Sequence, residues 1–314
     1  MSMRPSNELA HGVYAAMVVL LALSESRPAH AGAWTVPQGQ LWVKVSYLQQ
    51  NTDEWYIDAL DPELQDEGTF GQFSAGTRRP YYFNGEYDLK AVFIEGVYGV
   101  TDWLNFGVKL PFSDQIFHDD NRTDPPSDAG FSDLRIFSKI RVLQKPAIIT
   151  LKAEAKIPTG DFKNEDGLIP VGEGQWDFDF LLQVGRSLWP LPAYANVDAG
   201  YRVRLENEEI FRDPGDEWLL NAEVGYLPTH NLLLALKFEY LKGRVGSLGG
   251  FQTDNLKQCI AYLVPTVAHS IHRSTALEAA IRISTEGRNF PAGCQFTLGL
   301  STNVDIAGLI RKGR

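Results

Sequence analysis

Lys109, Arg135, Lys139, Arg141, Lys152, Glu154 and Lys156 are followed along the chain by Asp177, Asp179, Asp198, Arg202, Arg204, Glu217 and Glu223. Within each local segment these charges are spaced by even numbers of residues, which puts them on one side of an extended chain. Such a set could line a polar passage. Lys109, Arg135, Lys139, Arg141, Lys152 and Lys156 would form a basic arc, and Asp177, Asp179, Glu217 and Glu223 would face that arc. Opposed walls of opposite sign order water and small polar solutes between them. The competing use of the same charges is to pair with one another and fill a narrow bore.

Other chemistries find less support. A lipase-like site needs Ser and His placed together on a wall, but His118, His230, His269 and His272 are all expected in loops or turns, so no catalytic residue is assigned and the chain does not read as an enzyme. His118-Asp119-Asp120 could ligate a metal, yet it reads more simply as a charged surface loop, and neither metal nor cofactor is expected. Cys259 and Cys294 are the only cysteines. With one strand between them their Cα atoms would lie about 9–10 Å apart, beyond disulfide reach, so they are expected to be unpaired.

The elements that must hold these side chains are strands. The stretch 193–206 separates into two rows, Ala193, Ala195, Val197, Ala199, Tyr201, Val203 and Leu205 against Tyr194, Asn196, Asp198, Gly200, Arg202 and Arg204. The same alternation returns about a dozen times beyond residue 38, for example in Leu104–Phe112, Ile149–Ile157 and Leu232–Tyr240, with turn residues between and little helical periodicity. Only the segment 86–99 leaves its rows unassigned, because Lys90 and Glu95 fall on opposite ones. Short turns at 99–102, 144–146, 189–192 and 227–231 alternate with long polar loops. The loops at 51–80, 113–129, 159–173 and 207–216 carry formal charges of −5, −4, −3 and −3. The acidity of the chain, −10 overall, is thus concentrated on one rim, and it argues against a nucleic-acid partner.

Alternation by itself permits a soluble sandwich or a membrane barrel turned inside out. Three features favour the barrel. The apolar rows belong to strands of nine to eleven residues, the length a tilted strand needs to cross the hydrocarbon layer. Trp176, Trp218, Phe112, Tyr240 and Tyr226 lie near row ends, where interfacial girdles form. The rows also contain many small residues that would pack a soluble core thinly. At the N-terminus, Arg4, the apolar run Val13–Leu23 and the small-x-small site Ala29-His30-Ala31 match an export signal, so residues 1–31 are expected to be removed and 32–314 to form the barrel domain. No later run is long and apolar enough for a membrane helix.

Several stretches resemble the outer-membrane family named for the MetA pathway of phenol degradation: YGVTDWLNFGVKLPF (98–112), GFSDLRIFSKIRVL (130–143), KIPTGDF (156–162), GYRVRL (200–205) and GRNFPAG (287–293), in that order. The resemblance implies a barrel with a transport role, an aromatic or hydrophobic cargo being suggested only by the family name; Leu181, Leu219 and Leu233 are the few inward apolar residues expected. The chain ends without the terminal aromatic common in such barrels. The expectation is an all-β protein: a single transmembrane antiparallel up-and-down β-barrel of about twelve strands in the outer membrane of a Gram-negative bacterium. Its function would be that of a passive channel or transporter for a small-molecule solute. A closed structural or surface-binding barrel without transport and a soluble exported β-barrel that binds a ligand are the alternatives. Outer-membrane lipid, lipopolysaccharide and the barrel-assembly machinery are the expected partners.

Overall fold

The computed structural model describes residues 32–57, 75–162 and 170–312. The export-signal segment 1–31 and parts of two long loops, 58–74 and 163–169, lie outside the described residues.

Twelve long strands follow one another: β1 Gln40–Thr52, β2 Glu86–Gly99, β3 Leu104–His118, β4 Leu134–Leu143, β5 Ile148–Ile157, β6 Asp177–Ser187, β7 Ala193–Arg204, β8 Glu217–Thr229, β9 Leu232–Gly243, β10 Cys259–His272, β11 Thr275–Arg288 and β12 Cys294–Asp305. Each pairs antiparallel with its sequence neighbour, and β1 pairs with β12 from Gln40↔Asp305 to Gln50↔Gln295, which closes the barrel. Closure satisfies the backbone of every long strand, the condition for crossing hydrocarbon without unpaired donors and acceptors. A helix, α1 (Ile306–Lys312), follows β12 at the short-turn end.

The two rows face as their chemistry demands. Val197 is 44 % and Phe180 57 % exposed on the outer wall, whereas Lys156 and Glu217 are each only 2 % exposed inside. A soluble barrel would show the reverse. Trp176, Trp218, Tyr98, Trp103 and Tyr226 are exposed on the outer surface near strand ends. Segment 86–99 has an apolar inward row as well: Tyr87 and Ala91 are buried, and Leu89 and Phe93 face the lumen. That is why alternation could not assign its rows.

Two expectations need correction. The 113–129 loop is shorter than expected, because β3 continues to His118 and Ser127–Phe131 forms a short strand against Phe112–Ile116. The neighbouring β4 pairs only with Leu104–Lys109 of β3. His118, His269 and His272 are strand residues, since β3 and β10 run further than their apolar rows. The last strand runs to Asp305, as expected from its alternation, and the short helix α1 follows it. Cys259 and Cys294 are free thiols.

Candidate functional site

The lumen is organised in three levels. At the short-turn end, residues 32–38 turn inward and cross the bore. The Ala33 N–H donates to Asn196 Oδ1 (2.9 Å) and the Val36 N–H to Asn105 Oδ1 (2.7 Å), while Asn105 Nδ2 donates back to the Val36 carbonyl (2.9 Å). Thr150 donates to the Ala33 carbonyl, and Lys139 donates to the carbonyls of Gly32 and Trp34. Four strands therefore tie this segment, and each tie satisfies a backbone group that would otherwise be buried unpaired. Two glycines make the room. A Cβ at Gly185 would lie 2.9 Å from the Trp34 ring, and one at Gly107 would lie 2.2 Å from the Phe137 ring. Val36, Val97 and Phe137 then pack as an apolar floor against Trp42.

Beside that floor the bore is filled by charges. Lys44 meets Glu278 at 2.9 Å, and Lys237 bridges Glu278 and Glu223 at 3.9 and 3.7 Å. Tyr194 also donates to Glu223. Asp198 accepts from Gln183 and Asn196, both at 2.9 Å.

Above the floor lies a cavity of ≈ 720 Å³ with two unlike sides. One side is charged, built from Arg135, Lys152, Glu154, Lys156, Asp179 and Arg202 on β4–β7. The other carries Tyr87, Leu89, Phe93, Leu241, Ile260 and Tyr262 from β2, β9 and β10, with Arg282 stacked on the Tyr262 ring and paired with Glu239 at 2.6 Å. The expected basic arc facing an acidic wall is not what the charges form. Cations and carboxylates interleave on neighbouring strands. Arg202 holds Asp179 in a two-pronged contact at 2.7 and 2.9 Å and Glu217 at 2.7 Å; Arg135 and Lys152 share Glu154 at 2.9 and 2.6 Å. Planar guanidinium suits such shared carboxylates.

The long-loop end is narrowed by two loop segments. Tyr56, ahead of the undescribed part of the first loop, enters an apolar cluster with Ile260, Tyr262, Val264, Ala280 and Ala292. Opposite it, residues 170–175 lean on the charged side: Lys156 pairs with Glu173, with Asp177 at 2.9 Å and with Asp133 at 3.4 Å, and Arg204 pairs with Glu173 and, at 3.0 Å, with Glu217. The Glu173 N–H donates to Asp133 Oδ2 at 3.1 Å. Burial opposes ionisation of Glu173, but the Arg204 guanidinium and the Lys156 ammonium outweigh it and hold the carboxyl well below the usual carboxylate range.

Of the residues singled out by spacing, Lys109, Arg135, Lys152, Glu154, Lys156, Asp179 and Arg202 border the cavity. Asp177, Arg204 and Glu217 lie in the ion-pair cluster behind it, Lys139 under the floor, and Asp198 and Glu223 among the side chains that fill the lower bore. Arg141 sits at the short-turn end of β4, where the register with β5 shifts. Spacing missed the apolar side, the 32–38 segment and Glu173. Phe137 was legible, standing between Arg135 and Lys139 on the charged row; segment 32–38 carries no periodic signal at all. His272 Nδ1 lies 3.5 Å from Ser274 Oγ at a turn away from the cavity. Among the described residues no group of three or more His, Cys, Asp or Glu side chains could hold a metal ion.

A family model described as "Putative MetA-pathway of phenol degradation" matches residues 58–300. The chain belongs to this family. The crystal structure of the COG4313 outer membrane channel from Pseudomonas putida F1 superposes with a TM-score of 0.69 at 16 % identity, covering 87 % of this chain and 98 % of that one. At that identity the likeness establishes the fold, an outer-membrane-type barrel. The toluene transporter TodX of P. putida aligns more distantly, with a TM-score of 0.42 and 8 % identity over 86 % of this chain and 90 % of that one. The beta domain of the Bordetella autotransporter BrkA gives 0.48 and 10 %, over 84 % and 99 %. No curated protein matches the sequence.

Proposed function

We propose that this family member is a passive channel of the Gram-negative outer membrane, and that it passes small amphipathic molecules. One observation carries the reading: the lumen keeps a cavity of ≈ 720 Å³ whose lining is charged on one side and largely apolar on the other, where the Arg282–Glu239 pair is the polar exception. A barrel that served only as structure would gain by filling that space, because voids forfeit packing. A solute with a ring or short alkyl body and one polar group can satisfy both sides together. The superposing Pseudomonas protein is itself an outer membrane channel, which supports the same reading.

The exposed apolar wall meets lipid, the acidic long loops face outward toward lipopolysaccharide, and the short-turn end with residues 32–38 faces the periplasm. Residues 1–31 act as the export signal, and insertion depends on the barrel-assembly machinery. The charges that border the cavity are the pore-lining set. Recording the purified barrel in planar bilayers tests the proposal. Small unitary currents are expected; no current above background at any voltage, from a barrel shown to be folded by heat-modifiable migration, sinks it in favour of a closed structural barrel.

A further inference from the structure

Lys109 differs from the other cations around the cavity. Arg135, Lys152, Lys156 and Arg202 each hold a carboxylate within 3 Å. Lys139 is satisfied by the carbonyls of residues 32 and 34. Among the described residues no carboxylate lies within ion-pair distance of the Lys109 ammonium. The register places Glu95 opposite it on β2 and Arg135 opposite it on β4. Glu95 stays beyond contact, and Glu154 is already shared by Arg135 and Lys152. The Lys109 ammonium instead lies over the Phe93 ring, 4.9 Å from its centroid.

The surroundings are chosen by the same register. Phe93 and Pro111 border the cavity beside Lys109, and Leu89 and Ala91 continue the apolar side along β2. Phe137 completes it from β4, itself capped by the Lys152 ammonium at 4.4 Å. Two rings each carrying a cation on one face, with Lys109 and Arg135 between them in register, complement a flat solute that bears a negative charge at its edge. Glu95 and Glu154 are the nearest carboxylates and neither closes an ion pair with Lys109, so its ammonium keeps donors free for an anion that enters the cavity. A single-ring solute fills only part of a cavity of this size, so it can enter and leave.

We infer that Lys109, with Phe93, Pro111 and Phe137, forms a lumenal subsite for a small aromatic monocarboxylate. The carboxylate accepts from the Lys109 ammonium and the ring lies against the apolar side. This deepens the channel reading, since it takes for granted that solutes reach the lumen.

The test is equilibrium titration of the folded barrel in detergent, which reads the subsite without requiring conduction. The probes are benzoate, benzyl alcohol with the same ring and no charge, and acetate with the charge and no ring. Benzoate is expected to bind at least tenfold more tightly than either. In Lys109→Gln its advantage over benzyl alcohol should vanish, and in Phe93→Ala its advantage over acetate should shrink severalfold; heat-modifiable migration verifies both folds. Equal binding of benzoate and benzyl alcohol, equal binding of benzoate and acetate, or an advantage that survives Lys109→Gln overturns the subsite. A barrel that binds benzoate selectively but carries no current keeps the subsite and loses only the channel. A barrel that conducts without discriminating the three probes keeps the channel and loses the subsite.

Discussion

Glu173 is the residue on which the long-loop constriction turns. It reaches from a loop into the cluster of Lys156, Arg204, Asp133, Asp177 and Glu217, and it is the only loop carboxylate among the described residues that both of these cations hold. Its carboxyl ionises more readily in the folded barrel than in a free chain. The attachment is therefore fully present above the ordinary glutamate value of about 4.3 and is lost only as the pH falls toward the lower folded value. Channel currents should accordingly be flat from neutral pH down to about 5 and should rise or grow noisy only below about 4. Glu173→Gln should bring the same behaviour to pH 7. Recordings across that range check both, and a Gln variant with unchanged currents would show that residues 170–175 do not restrict the bore.

Among the elements, segment 32–38 determines the short-turn end. Asn105 and Asn196 grip it at two points through three hydrogen bonds. At about 1 kcal/mol per buried bond, Asn105→Ala combined with Asn196→Ala should weaken the floor by about 3 kcal/mol, roughly a hundredfold in the fraction of barrels with the segment released. Open-channel probability measures this; no change would mean that the floor stays shut through Lys139 and Thr150 alone, or that it is not a barrier. Strand β2 shows the complementary point. Its inward row is apolar because it forms the greasy side of the cavity, so a site requirement overrode the alternation on which sequence reading depends.

For the whole molecule the decisive property is its polarity. Val197 sits on the exposed wall within β7, opposite Ala222 and Val184 on the flanking strands. Val197→Arg should cost about 2–4 kcal/mol near mid-membrane, read as a loss of unfolding free energy in lipid vesicles. In a soluble, wet-walled barrel the same change would cost almost nothing.

Strand number, the rows of every strand but β2 and most of the split between short turns and long loops were present in the sequence, because a side-chain period of two and the need to satisfy every backbone group leave one solution once the apolar rows are long. Which charges pair was not present. Spacing tells that Arg135, Glu154 and Asp179 share a face, but only the stagger between strands β4, β5 and β6 brings them into one cluster instead of two facing walls. The floor made by residues 32–38 and the open side of Lys109 depend likewise on contacts between segments remote in the chain. Periodicity is a local property, whereas a lumen is defined by what its far sides leave unfilled.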